Sequence, residues 1–301
     1  MKPEWAGLPT ESRNPRSRRL DEMPTSRVVA LLLDEDRRGV AAAARQAPAI
    51  TRAAILAAEA LDAGGRIFFM GAGTSGRLGF LEAAECPPTF GSDPDRIRGI
   101  MAGGDGAIIR AVEGAEDRED EGRTEGGRAN AGDLVIGISA SSMAPFVRGA
   151  LAAAREKGAG TVLVTCAPGR AVRGLADVVI AIPTGPEVLT GSTRLKAGSA
   201  TKAALNAITT AAMVRLGKSY ENLMVDMRPT NAKLRDRAIR IVVTAGAVER
   251  AEAERLLEAA GDEVKTAIVM ARTGATADEA RQRIGRANGH VRKALVVTRR
   301  V

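Results

Sequence analysis

The chain has 301 residues, 45% of them hydrophobic, enough for one large α/β core with a small appendage. Its longest apolar runs, Ile67 to Met70 and Val178 to Ile182, fall far short of the roughly 20 residues that cross a bilayer, so no membrane span or membrane partner is expected. A net charge of +8 raises nucleic acid as a partner, but arginines alternate with Asp and Glu, as in Glu116 to Arg128, and only 2% of residues are aromatic; a solvated Arg-rich surface is expected instead.

Met1 to Trp5 carry a lysine and a glutamate and lead into Pro, Ser and Arg, not into the apolar run of a secretion signal. Residues 1–25 lack periodicity and read as an extended arm that orders against a partner or the core; it holds the basic cluster Arg16 to Arg19. From Ser26 the pattern turns helical: Val28, Leu31 and Leu32, then Ile50, Ala54, Ile55, Ala58 and Leu61, recur at spacings of three and four, which predicts two helices. Five short apolar runs follow as strands: Arg66 to Met70, Ile97 to Ala102, Leu134 to Ser139, Thr161 to Cys166 and Val178 to Ile182. Helical spacing between them, at Arg77 to Ala84, Ala107 to Ala115 and Pro145 to Lys157, makes the strands parallel and the fold a doubly wound, three-layer α-β-α sandwich.

A helical run after Gly191 reaches Leu216 without a proline. Beyond about Arg235, the segments Arg250 to Ala260, Glu263 to Arg272 and Ala277 to Ile284 predict a three-helix appendage, and a second basic cluster, Arg299 and Arg300, ends the chain. The expected division is an arm over 1–25, an α/β domain with its preceding helices over 26–234, and a small helical subdomain over 235–301.

Three polar clusters sit at the expected strand ends. Gly71-Ala72-Gly73-Thr74-Ser75-Gly76 follows the first strand and formally fits a dinucleotide fingerprint as well as a phosphate loop. Either ligand would use the glycines and the helix N-terminus for an anion; the hydroxyl pair Thr74-Ser75 favours a sugar phosphate. Ser139, Ser141 and Ser142 follow the third strand, and Thr190, Ser192 and Lys196 open the long helix, with Glu187 counted alongside them. Each cluster alone reads as an ordinary helix cap; together, at strand ends, they read as a phosphate cradle.

Other chemistries find few residues. Cys86 and Cys166 are widely spaced and fit neither a disulfide framework nor a zinc site, which suits a reducing cytoplasm. The one histidine, His290, lies in a polar turn, so neither a metal site nor a Ser-His-Asp triad is expected, and no cofactor. Charge pattern alone leaves Glu85 and Glu116 as surface salt-bridge partners.

The segment Gly71 to Gly91, GAGTSGRLGFLEAAECPPTFG, closely resembles the signature of N-acetylmuramic acid 6-phosphate etherases. Gly103 to Asp105, AVEGAED at Ala111 to Asp117, TGSTRLKAG at Thr190 to Gly198 and ENLMVDMRPTNAKL at Glu221 to Leu234 resemble the family too, from ESRNPRS at Glu11 onward. The resemblance implies a sugar isomerase (SIS) fold, a homodimer, an amino-sugar phosphate as small-molecule partner and a place in cell-wall recycling. It also implies that Glu85 is the proton-donating acid and Glu116 the second catalytic carboxylate. Glucokinase regulatory proteins are similar to this family and bind sugar phosphates without turning them over, which supplies a non-enzyme alternative; a phosphosugar isomerase is another. Where the family reads SGRTP, this chain has Ser141-Ser142-Met143-Ala144-Pro145, and Gly106 replaces a commonly larger residue, which implies a roomier pocket.

An open-chain sugar aldehyde acidifies its C2 proton, so one base and one acid suffice to eliminate a C3 ether. The apolar neighbours Phe80, Leu81 and Phe90 are expected to raise Glu85 and so split the two carboxyls between acid and base.

Overall fold

The computed structural model describes residues 8–167 and 172–296. The expectations for Met1 to Trp5 and for Arg299 and Arg300 lie outside the described residues. The chain forms two compact units: one holds the chain up to Ala84 together with Asp95–Ala211, the other Glu85–Pro94 together with the chain from Ala212.

In the first unit, β1 (Ile67–Gly71), β2 (Ile97–Met101), β3 (Leu134–Ile138), β4 (Gly160–Thr165) and β5 (Val178–Ala181) form one parallel sheet in the order β2-β1-β3-β4-β5. β1 and β3 are buried along their whole length, as IFFMG and LVIGI require in a sheet covered on both faces. The edge strands β2 and β5 are buried only in part.

Helices α1 (Thr25–Ala44), α2 (Ala47–Asp62), α3 (Gly73–Phe90), α6 (Pro145–Glu156) and α7 (Lys196–Arg215) take up the expected helical stretches. Phe68, Met70, Val135 and Leu163 share one core cluster with Phe146, Val147 and Leu151 of α6. Each such large apolar side chain contributes about 1.5–3 kcal/mol on burial. Two glycines set the layer spacing. A Cβ on Gly137 would lie 2.8 Å from Val147, and one on Gly79 of α3 2.8 Å from Phe69, on the other face of the sheet.

Between β2 and β3 the structure departs from the expected helix over Ala107 to Ala115. Only α4 (Gly106–Ile109) forms; Arg110 is extended, and a 3-10 turn follows at Ala115–Asp117. The spacing there misleads because Ile109 stays 86% exposed. Instead α5 (Glu119–Gly126, EDEGRTEG) packs on α6. A Cβ on Gly122 would lie 2.0 Å from the Phe146 carbonyl and one on Gly126 2.1 Å from the Ala150 carbonyl, so backbone meets backbone and no apolar stripe is needed.

The described part of the arm forms three 3-10 turns, Pro9–Glu11, Pro15–Ser17 and Leu20–Glu22, rather than an extended strand. It is ordered against its own core: the Asn14 amide donates to Glu35 (3.2 Å) and to the Pro186 carbonyl (3.1 Å), and the Ser17 hydroxyl to the Val188 carbonyl (2.7 Å).

The second unit holds a short antiparallel pair, β6 (Ser219–Tyr220) and β7 (Leu223–Met224), and five helices rather than the expected three: α8 (Ala232–Gly246), α9 (Arg250–Ala259), α10 (Val264–Thr273), α11 (Ala277–Arg286) and α12 (Val291–Val296). Asn231 caps α8 by accepting from the Leu234 N–H, and Thr276 with Glu279 forms a capping box on α11. The six residues of α12 are too few to show a periodicity, yet Val291 and Ala294 join the core of Ile239, Val242, Leu257 and Ile268.

Candidate active site

The registers align the carboxyl ends of β1, β2 and β3: Gly71 pairs with both Met101 and Ile138. The chain leaves β1 for β2 on one side and later returns to β3 on the other, and open α/β sheets take ligands at such a switch point. A cavity of about 420 Å³ lies there, lined by Ala72 to Ser75 after β1 and by Ile138 to Ser141 after β3. Glu116, Asp117, Gly191 and Thr193 complete its wall with Thr10 and Glu11 of the arm.

The loop after β1 is a backbone-on-backbone turn. A Cβ on Gly71 would lie 2.7 Å from the Gly76 nitrogen, and one on Gly76 2.5 Å from the Gly71 carbonyl oxygen. Because α3 starts at Gly73, the N–H groups of Gly73, Thr74 and Ser75 have no partner within the helix. These amides and the Thr74 and Ser75 hydroxyls supply donors to the cavity, with the positive end of the helix behind them. Across the cavity, the Ser141 hydroxyl accepts from the Met143 N–H at 3.2 Å, while Ser142 adopts a left-handed φ of 62°. Ser142 thus stands where the family signature has glycine.

Glu116 follows the buried Ala115, which pins the 3-10 turn, and it lines both this cavity and a neighbouring one of about 160 Å³. Glu116 keeps contact with solvent, yet the cavity walls strip away enough of its hydration to raise its carboxyl above the usual glutamate value; the charges on Asp117 and Glu113 add to the rise.

Of the residues singled out from sequence, Gly73, Thr74, Ser75, Ser139, Ser141 and Glu116 line the cavity. Ser142 is buried beside it, its hydroxyl donating to the Ser141 carbonyl. Thr190 and Ser192 do not line it, although their neighbours Gly191 and Thr193 do. Glu187 is 1% exposed and caps α7, accepting from the N–H groups of Ala197 (2.9 Å) and Lys196 (3.3 Å); burial raises its carboxyl despite those bonds. Lys196 pairs with Glu35 and lines a different cavity. Gly106 lines neither of the two neighbouring cavities.

Glu85 belongs to the second unit and is exposed on α3, just ahead of Pro87 and Pro88, which deprive the helix of two donors. The apolar shelter expected from its neighbours is incomplete, since Leu81 is itself 40% exposed. Thr193 belongs to the polar cluster Thr190 to Thr193 ahead of the long helix; Thr10, Glu11 and Asp117 were not singled out as lining residues, although Glu11 opens the ESRNPRS segment and Asp117 ends AVEGAED. Among the described residues no Lys or Arg lines the cavity. A larger cavity of about 710 Å³, within the second unit beside Lys218, Asp226 and Lys265, holds none of the singled-out residues.

Residues 50–155 match the glucokinase regulatory protein N-terminal SIS domain, and residues 118–211 match the SIS domain. An N-acetylmuramic acid 6-phosphate etherase of Gloeobacter violaceus is 55% identical over 270 residues, covering 89% of this chain and 88% of that one. The chain belongs to the N-acetylmuramic acid 6-phosphate etherase family. Another etherase of this name, from Mycolicibacterium smegmatis, is 49% identical and covers 97% of this chain and 99% of its own, so the likeness includes both compact units. Among solved structures, the Vibrio vulnificus NanR protein complexed with ManNAc-6P aligns at a TM-score of 0.44 with 16% identity, over 75% of this chain and 72% of that chain, too loosely to bear on the chemistry.

Proposed function

We propose that this chain cleaves the D-lactyl ether of N-acetylmuramic acid 6-phosphate, giving N-acetylglucosamine 6-phosphate and D-lactate in cell-wall recycling. The observation that carries the reading is the cavity at the switch point, where hydroxyls of Thr74, Ser75, Ser139 and Ser141 gather around a carboxyl raised by its surroundings, in a chain of this family. The hydroxyls and free amides hold the phosphate. A base takes the C2 proton of the open-chain aldehyde, and the C3–O bond breaks as an acid protonates the departing lactate oxygen. Water then adds at C3 of the unsaturated aldehyde and a proton returns to C2, so the net change is hydrolysis. Glu116 serves as base or water activator, and the family resemblance assigns the acid role to Glu85, which does not line this cavity.

No helix among the described residues is long and apolar enough to cross a membrane. Cys86 and Cys166, the chain's two cysteines, are both buried and widely spaced in the sequence, which supports a reducing compartment, the cytoplasm. Val29, Leu33 and Val40, exposed by 44–65% at helical spacing on α1, support a homodimer, which equilibrium sedimentation tests. The function itself is tested by incubating the protein with N-acetylmuramic acid 6-phosphate and assaying both products. Tight binding of the sugar phosphate with neither product formed would replace the enzyme reading with a sensing role.

A further inference from the structure

Lys196 lines a second cavity of about 430 Å³ in the first unit, apart from the 420 Å³ cleft, together with Arg16, Arg37, Arg38 and Arg45. These five cations face the carboxylates of Glu35 and Asp34, and Lys196 also feels the buried carboxyl of Glu187. Glu35, 4% exposed, takes Arg16 at 2.6 Å, Arg38 at 3.8 Å and the Lys196 ammonium; Asp34 takes Arg16 at 2.7 Å, Arg37 at 2.7 Å and Arg38 at 3.3 Å. The Arg45 side chain has no hydrogen-bond or ion-pair partner among the described residues. The carboxylates are thus shared several ways and leave positive charge and guanidinium N–H groups unsatisfied at a concave surface. Guanidinium forks meet phosphate oxygens two at a time. Lys196, 3% exposed, and Asn14, 4% exposed, form a fixed floor, above which the guanidinium groups of Arg37, Arg38 and Arg45 stand exposed at the rim.

We propose that this cavity is a second anion site, which takes a small phosphate-bearing molecule independently of the cleft. Its position gives occupancy a route to the cleft. The arm supplies Thr10 and Glu11 to the cleft and Asn14 to Arg16 to this cavity, and the segment before α7 supplies Gly191 and Thr193 to the one and Pro183 and Pro186 to the other, with Lys196 opening α7 beside them.

The test is calorimetric titration of the full-length protein with inorganic phosphate and, in a parallel arm, with glucose 6-phosphate. Wild type should show two sites, and Thr74→Ala/Ser75→Ala should keep one. Adding Arg38→Ala/Arg45→Ala should weaken that remaining site at least tenfold. Alone, Arg38→Ala/Arg45→Ala should leave product formation in phosphate-free buffer unchanged, which separates this site from the catalytic reading. Comparable binding in both arms means that phosphate alone is read; tighter glucose 6-phosphate binding means that the sugar is read too. The proposal is overturned if Thr74→Ala/Ser75→Ala abolishes all saturable binding, if the residual site ignores the two arginines, or if a short oligonucleotide displaces phosphate at micromolar concentration.

Discussion

Replacing Glu116 with Gln keeps the volume and one carbonyl acceptor and removes only the ability to take a proton. A general base is worth about 10²–10⁴-fold, or about 3–5 kcal/mol of barrier, and turnover should fall by that factor. The proposed phosphate contacts, Thr74, Ser75, Ser139 and Ser141, are not altered by the substitution, so KM should stay within about threefold. The pH profile supplies a second readout. A base works only when deprotonated, and burial plus the charges of Asp117 and Glu113 raise Glu116 above its ordinary 4.5. The acidic limb of kcat/KM should therefore lie above pH 4.5, and Asp117→Asn, which removes one like charge, should move it downward. D-lactate release followed from pH 4 to 8 measures both. Wild-type turnover in Glu116→Gln, or a loss confined to KM, would refute the assignment.

Three further outcomes follow from the packing. The Asp133 carboxylate accepts from the Arg66 side chain at 2.7 Å and from the N–H groups of Arg66 and Asn130; burial alone would raise it, but these bonds together hold it below the usual aspartate value. A lowered carboxyl stabilises the fold above its unfolded value near pH 3.9 and loses that contribution as pH falls through the folded value. Asp133→Asn should cost about 2–3 kcal/mol at pH 7 by urea unfolding, with the gap closing below about pH 4. Ser142→Gly relieves a left-handed φ of 62° and should stabilise by about 0.5–1 kcal/mol, read as a raised Tm. Burial pushes the Cys166 thiol up to about 11, so it should resist a thiol reagent at pH 8 until the protein is unfolded.

The sheet was legible because its central strands are buried on both faces and read as apolar runs, and its edge strands still carry enough apolar residues between turns; each observed strand lies within one or two residues of its expected bounds. The misses are places where packing leaves no apolar trace. Helix α5 docks through the Cα atoms of Gly122 and Gly126, and α12 contributes two buried residues. At the site, the hydroxyl clusters after β1 and β3 were legible because strand ends fix where loops emerge. The cluster before α7 was only half legible: the side chains at Glu187 and Lys196 turn to capping and ion pairing, which depend on Glu35, 161 residues away from Lys196 in the chain.

Among the described residues no Lys or Arg lines the cleft, although Arg77 lines the smaller cavity that Glu116 shares, and the neutral donors of the cleft have a chemical consequence. A cation within a few ångströms would hold a phosphate well, but it would also lower Glu116 and make it a poorer base. Neutral donors escape that conflict. Amides at the start of α3 and hydroxyls of Thr74, Ser75, Ser139 and Ser141 can satisfy phosphate oxygens without neutralising the field at Glu116, and a bound phosphate adds negative charge that raises Glu116 further. Binding the ligand and tuning the base therefore act in the same direction. Arg37, Arg38, Arg45 and Lys196 hold their positive charge in a separate cavity, whose lining does not include Glu116.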